Sequence, residues 1–154
     1  MECGKTTSNL FALSEDVISP ENEKEKLKNS RAGAIVTFEG WVRDHAEGKE
    51  VRLLEYQVYK DLAFSEGIKV VQEAIDEFDV QYARCIHRYG QLHIGDVAVW
   101  IGVASAHRRE AFDACSFIID SIKIRLPIWK RETYKDGRSD WINCHIGDRT
   151  RSEA

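Results

Sequence analysis

The stretch VAVWIGVASAHRREAFDACSFIIDSIKIRLP, residues 97–127, decides how this 154-residue chain is read. Its first nine residues, Val97 to Ser105, are apolar on both faces, as a central strand requires. The pattern then changes to apolar positions three and four apart (Phe112, Cys115, Ile119, Ile122), the buried stripe of a helix. Ser105 is placed to cap that helix, and Pro127 stops it after Leu126.

Working outward, Ile128 to Tyr134 reads as a strand, with Gly137 marking a turn before Trp141. Upstream, Tyr82 to Tyr89 is a strand closed by the turn signals Gly90 and Gly95. Ile68, Val71, Ile75 and Phe78 line one face of a helix that Asp61 is placed to cap. Ala34 to Arg43 and the alternating segment around Leu54, Tyr56 and Val58 form two strands joined by a hairpin near Gly48, and Gly40 hints at a bulge. Leu10 to Leu13 is a possible edge strand, while Glu21 to Ser30 is a charged helix or loop. The expected fold class is α+β: two main helices packed on a mostly antiparallel or mixed sheet. The expected division is an extension over 1–31, a single domain over 32–144 and a polar tail over 145–154.

Composition excludes several classes of function. Hydrophobic residues make up 43% and charged residues 31%, a globular balance, and no apolar run reaches the ~18 residues of a membrane helix. A net charge of −4 argues against general nucleic-acid binding, which depends on phosphate neutralisation. Cys3, Cys85, Cys115 and Cys144 are scattered without metal-binding or redox spacing, so reduced thiols, a cytoplasmic location and no metal are expected. The charge is uneven. Residues 106–131 carry six Lys and Arg against three Asp and Glu, and the remainder carries sixteen against twenty-three. A basic island on an acidic body points to one anionic site.

Within that island, His107, Arg108 and Arg109 sit at the start of the second helix, where free N–H groups favour a phosphate or carboxylate. Arg109 shares a polar face with Asp113 and suits a solvent ion pair. Arg108 shares a side with Phe112, Cys115 and Ile119, so it is expected to point toward packed structure. There anion binding is favoured over a structural pair. Spacing alone gives Lys123 and Lys130 ordinary roles, the first beside Asp120 and the helix C-terminus, the second as a strand surface residue. Arg125 and Arg131 are candidate cationic neighbours for a catalytic lysine. Arg43 ends a strand before a loop, and Trp41 and Trp129 are candidates to wall a flat heterocycle.

Four motifs in order carry a resemblance: FEGWVR (Phe38 to Arg43), HRYGQLHIGD (His87 to Asp96), AHRREAF (Ala106 to Phe112) and KIRLPIWKRE (Lys123 to Glu132). Together, from about Gly33 to Trp141, they resemble the large, catalytic subunit of molybdopterin synthase. The resemblance implies an α/β-hammerhead fold and a homodimer carrying a small ubiquitin-like subunit at each end, a heterotetramer. It implies a sulfurtransferase that uses the small partner's C-terminal Gly-Gly thiocarboxylate to convert cyclic pyranopterin monophosphate (precursor Z) into the dithiolene of molybdopterin. No cofactor of its own is implied. Lys123 and Lys130 match the family's active-site lysines, which reverses the reading from spacing alone. Arg43, His107 and Arg108 match its substrate-pocket residues, and Trp41, Val42, Arg131 and Glu132 line that pocket. Gln57 and Leu62 depart from the family pattern, which has glutamate and methionine there. The alternatives are a non-catalytic module binding a phosphorylated ligand or a ubiquitin-like tail, and a phosphate-ester hydrolase using His107.

Overall fold

In a computed structural model, residues 9–46 and 48–143 are described. Cys3, Cys144 and the tail over 145–154 lie outside them. The elements run β1 (Phe11–Ser14), α1 (Pro20–Glu25), β2 (Ala34–Trp41), β3 (His45–Ala46), β4 (Lys49–Val58), α2 (Lys60–Phe78), β5 (Tyr82–Arg88), β6 (Gly90–Leu92), β7 (Val97–Ser105), α3 (Arg108–Arg125), β8 (Ile128–Tyr134) and β9 (Ser139–Asn143). They make the expected α+β fold. One sheet has the order β1-β5-β7-β2, mixed because β1 runs parallel to β5 while the other pairs are antiparallel. A second, antiparallel sheet has the order β3-β4-β8-β9, with β6 also paired to β4. Among the described residues no helix is long and apolar enough to cross a membrane.

The central strand is β7, buried along nearly its whole length as its two-faced apolar sequence requires. On one side α2 and α3 pack antiparallel over it, with Phe78 meeting Phe117 at 5.6 Å between ring centroids. On the other side Ile18 and Leu27 close over Ile86 and Trp100, so the leading segment contributes to the core. The possible edge strand at Leu10 to Leu13 is β1, at the rim of the first sheet, and Glu21 to Ser30 holds the short helix α1. The bulge expected at Gly40 is present as a register shift between Gly40 and Trp41.

Several local expectations are corrected. The inward stripe of α3 is Ala111, Ala114, Cys115, Ile118 and Ile122, whereas Phe112 is 60% exposed. Small residues at 111 and 114 let the helix sit close to the sheet, which turns position 112 outward. Ser105 remains in β7, buried, and the N-cap position of α3 is His107, with extended backbone and no side-chain cap bond. Likewise α2 begins at Lys60, which puts Asp61 inside its first turn, and its buried residues are Ala63, Gly67, Val70, Val71 and Ala74. The segment after Tyr89 is more than a turn, since Gly90–Leu92 pairs with β4.

Gly67 fixes how closely α2 approaches β1. A Cβ there would lie 2.4 Å from ring atoms of Phe11, a fully buried side chain. Gly67→Ala should therefore destabilise the fold by about 1–3 kcal/mol through overpacking, although alanine is the better helix former. Chemical denaturation measures this, and a stabilised Gly67→Ala variant would show that Phe11 can yield.

Candidate active site

At the C-terminal end of α3 the chain turns sharply. Leu126 is already extended, with ψ 135°, its N–H still donating to the Ile122 carbonyl at 3.1 Å. Pro127 ends the helix, and β8 begins at the next residue. Lys123, exposed in the last turn of α3, and Lys130 on β8 thus belong to the same end of that helix.

Strand alternation then sorts the motif residues between two faces. Ile128, Lys130, Glu132 and Tyr134 share the inner face, where all but the partly exposed Lys130 are buried. Glu132 is 3% exposed; its Oε1 lies 3.5 Å from Lys130 Nζ, and its Oε2 accepts the Tyr134 hydroxyl at 3.0 Å. Directly opposite Lys130 in the ladder is Tyr56, whose ring meets buried His87 edge-on at 5.1 Å. His87 Nδ1 lies 2.7 Å from the Arg88 carbonyl, and burial pushes its pKa down to about 4.

Trp129 and Arg131 occupy the other face of β8. Arg131 Nη2 lies 2.7 Å from Glu55 Oε2, and its guanidinium stands 5.1 Å from the centre of the Trp141 ring. Arg131 is therefore placed away from Lys130 by the period of the strand. Trp129 is likewise separated from Lys130 and lines a hollow of about 490 Å³ with Gln57, Val58, Tyr59 and Trp141. Arg125 is also engaged elsewhere: its Nη2 lies 3.2 Å from Glu66 Oε2 and 3.1 Å from Glu73 Oε1, clamping α3 to α2. Hydrogen bonding to Arg125 is the main cause that lowers the Glu66 pKa. Neither arginine is the cationic neighbour of a lysine that the sequence suggests.

The FEGWVR segment approaches the inner face through Val42. That side chain is 5% exposed and packs with Leu54, Leu92 and Ala98, and Leu54 is the ladder partner of Glu132. The Val42 N–H donates to Asp96 O at 2.9 Å, and the Val42 carbonyl accepts from Gly95 N–H at 2.7 Å. This double anchor fixes where the exposed Arg43 leaves the sheet. Trp41, by contrast, is 67% exposed and donates its indole N–H to Glu39 Oε1 at 3.1 Å.

His107 and Arg108 lie at the other end of α3. With Gly33, Ala34, Ala106, Arg109 and Phe112 they border an open depression of about 750 Å³. Gly33 makes the depression's floor possible, since a Cβ there would come within 2.5 Å of the Ala106 carbonyl oxygen. Both His107 and Arg108 are exposed, so Arg108 faces solvent beside Phe112 rather than packed structure. Glu110 and Asp113 border it too and offset the two arginines, so the pull on an anion rests on the free N–H groups at the start of the 18-residue helix with Arg108 beside them. Lys123 is fifteen residues further along, about 22 Å away at the α-helical rise. One chain therefore presents two separate basic groups, one at each end of α3.

No thiol among the described residues is primed as a nucleophile. Cys85 and Cys115 are buried, which raises the pKa of both, that of Cys115 to about 11. No group of three or more His, Cys, Asp or Glu among the described residues is arranged to hold a metal. Sequence reading gives no site role to Tyr56, His87 or Tyr134. The spacing 130, 132, 134 was available as a signal for Tyr134, whereas Tyr56 and His87 reach Lys130 only through sheet pairing.

The family described as MoaE protein matches residues 13–125. The chain belongs to that family. A molybdopterin synthase catalytic subunit of Thermoplasma volcanium is 40% identical over 129 residues, covering 84% of this chain and 94% of the relative. One from Pyrococcus abyssi is 38% identical over 146 residues, covering 95% of each. The crystal structure of molybdopterin synthase from Staphylococcus aureus superposes with a TM-score of 0.79 at 33% identity, covering 88% of this chain and 96% of that one. The MoaE relatives thus place the chain among enzymes of molybdopterin biosynthesis.

His87 supplies a pH test of the packing behind Lys130. Its pKa in the fold lies below that of an unfolded chain, so the unfolded state takes up more protons between about pH 6.5 and 4. The stability it contributes is whole above that window and is lost as pH falls through it, on the order of 3 kcal/mol in total. His87→Phe should lose markedly less stability than the parent chain between pH 7 and 4.5 in denaturant titrations. Equal losses would show that the imidazole is not held neutral.

Proposed function

We propose that this chain is the sulfur-transferring catalytic subunit of a molybdopterin synthase. In this reading a small ubiquitin-like partner brings its C-terminal Gly-Gly thiocarboxylate to the lysine end of α3. Two such sulfurs turn cyclic pyranopterin monophosphate into the molybdopterin dithiolene and open the cyclic phosphate. What supports the reading is that Lys123 in the last turn of α3 and Lys130 near the start of β8 flank the turn at Pro127, the second set against a buried carboxylate beside the Val42 anchor. Lys123 assists proton transfer or activates the acyl-sulfur group. Lys130 positions the incoming tail or steadies developing negative charge, while Arg43, His107 and Arg108 hold the phosphate. Sulfur arrives on the partner, which suits a protein whose described thiols are buried. A structure of the same fold from Helicobacter pylori, at 19% identity, is a complex of subunits 1 and 2 of molybdopterin-converting factor. A cytoplasmic location belongs to the same reading, and the catalytic domain expected over 32–144 takes in the segment from β1 onward as well, since Phe11, Ile18 and Leu27 are buried in its core.

The two basic groups of α3 make a homodimer part of this proposal. Strand β2 is an edge of the first sheet, with Ile35 and Phe38 exposed. Such an edge pairs readily with another strand. Antiparallel pairing of two β2 edges sets the Ala34 end of one copy against the Trp41 end of the other. His107 and Arg108, beside Ala34, then approach Arg43 of the second copy, and each complete site draws on both chains.

Two experiments test this. With thiocarboxylated partner and the pterin precursor, Lys123→Ala and Lys130→Ala should each lower dithiolene formation by about 100-fold or more. Full turnover in both would remove the lysine assignment. Phosphate release without a sulfur donor would indicate a hydrolase acting through His107, and binding without product a non-catalytic module. Second, unfolding and refolding Lys123→Ala together with Arg108→Ala should restore roughly a quarter of parental activity, since mixed dimers hold one intact site. No restoration would place both groups in a site made by one chain.

A further inference from the structure

Glu132 is an expensive residue to bury. A carboxylate removed from water costs several kcal/mol unless its partners are well placed, and an apolar side chain at such a position often gives a more stable protein. The ladder partner of Glu132 is the buried Leu54, and beyond it lie Val42 and Leu92, so this part of the inner face is otherwise apolar. The carboxylate is retained there between two groups of its own strand, Lys130 two residues before and Tyr134 two residues after.

Tyr134 is itself firmly held. It is 8% exposed, its N–H donates to Arg138 O at 2.8 Å, and its carbonyl accepts from Gly137 N–H at 3.0 Å. These bonds tie it to the β8–β9 turn. From β4, Lys49 Nζ stands 4.9 Å from the centre of its ring, on an exposed side chain. The hydroxyl donates to Glu132 Oε2, which leaves Oε1 directed to the Lys130 ammonium.

We infer that Tyr134 is a positioning residue for sulfur transfer: its hydroxyl orients the Glu132 carboxylate, which in turn fixes the place of Lys130 Nζ. Phenylalanine would fill the same volume, so what the tyrosine adds is the bond its hydroxyl gives to the buried carboxylate. Holding a long, rotamer-rich lysine in one geometry is what a reaction requires when it brings two anions together. The inference rests on the role of Lys130 given above.

The test is Tyr134→Phe in the assembled enzyme with thiocarboxylated partner. The expected result is a fall of about 3- to 30-fold in kcat with KM for the pterin within about twofold. The denaturation midpoint falls as well, since a buried carboxylate loses a partner, and it is the kcat-against-KM split that separates positioning from packing. Glu132→Gln should lower kcat at least as much, and the double variant should be no worse than Glu132→Gln alone, because the hydroxyl acts through the carboxylate. Should the phenylalanine variant fail to fold, Tyr134→Trp and Glu132→Gln, singly and together, carry the same non-additivity test. Parental kcat in Tyr134→Phe, or additive losses in the double variant, would overturn the inference while leaving Lys130 in place. Parental turnover in Lys130→Ala would instead remove the reading on which it rests.

Discussion

The seating of α3 against β7 is the contact on which the rest of the molecule depends. Ala111, Ala114, Cys115, Ile118 and Ile122 make it, all within 6% exposure, and the first two are small enough to bring helix and strand backbones close. A rigid helix laid down in this way acts as a spacer between its ends. His107 and Arg108 are fixed at one end by the exit of β7, and Lys123 at the other by the turn at Pro127 into β8. Displacing the helix by one turn would disturb both groups at once. The arginine clamp to α2, through Glu66 and Glu73, opposes such a slip.

Charge is distributed by the same economy. Arg88, almost buried, is matched to Asp96 at 3.2 Å and to the Glu15 carbonyl at 2.9 Å, and Arg131 to Glu55. These cations serve the scaffold. Arg43 and Arg108 are among the exposed cations that an anionic ligand can reach, with the His107 imidazole beside Arg108. Lys130 lies between these classes, partly exposed and set against a buried carboxylate, which suits a group that must be both mobile enough to meet a ligand and constrained enough to meet it in one orientation.

Much of this was legible in the sequence where one element decides the matter. The two-faced apolar run of β7, the 3.6-residue period of α2 and α3 and the stop at Pro127 each depend on local pattern, and each element is found. What depends on the neighbour across the gap was less legible. Phe112 has the right period for burial, but the contact surface of α3 is centred on alanines, so the stripe is rotated and both Phe112 and Arg108 turn outward. Arg131 is adjacent to Lys130 in sequence and on the opposite face in space, a consequence of strand alternation that a shared motif conceals. His87 needed the pairing of β4 with β8 and the packing of one sheet on the other before it stood behind Lys130 at all.

The two departures from the family pattern can now be weighed by position. Gln57 is exposed on the outer face of β4, bordering the hollow with Trp129 and Trp141, and Leu62 is 50% exposed in the first turn of α2. Neither side chain shares the face of Lys130, Glu132 and Tyr134, because Gln57 is one strand position away from Tyr56 and so points to the other side. Replacing a charged by a neutral side chain at 57 alters the local field on a surface that already carries the Arg131–Glu55 pair, where solvent screening is strong. Their effect is therefore confined to what meets the outer surface. Within these two strands, the face of Lys130 is shared by residues at odd distance from Gln57 along β4 and at even distance from Lys130 along β8, among them Tyr56, Glu132 and Tyr134.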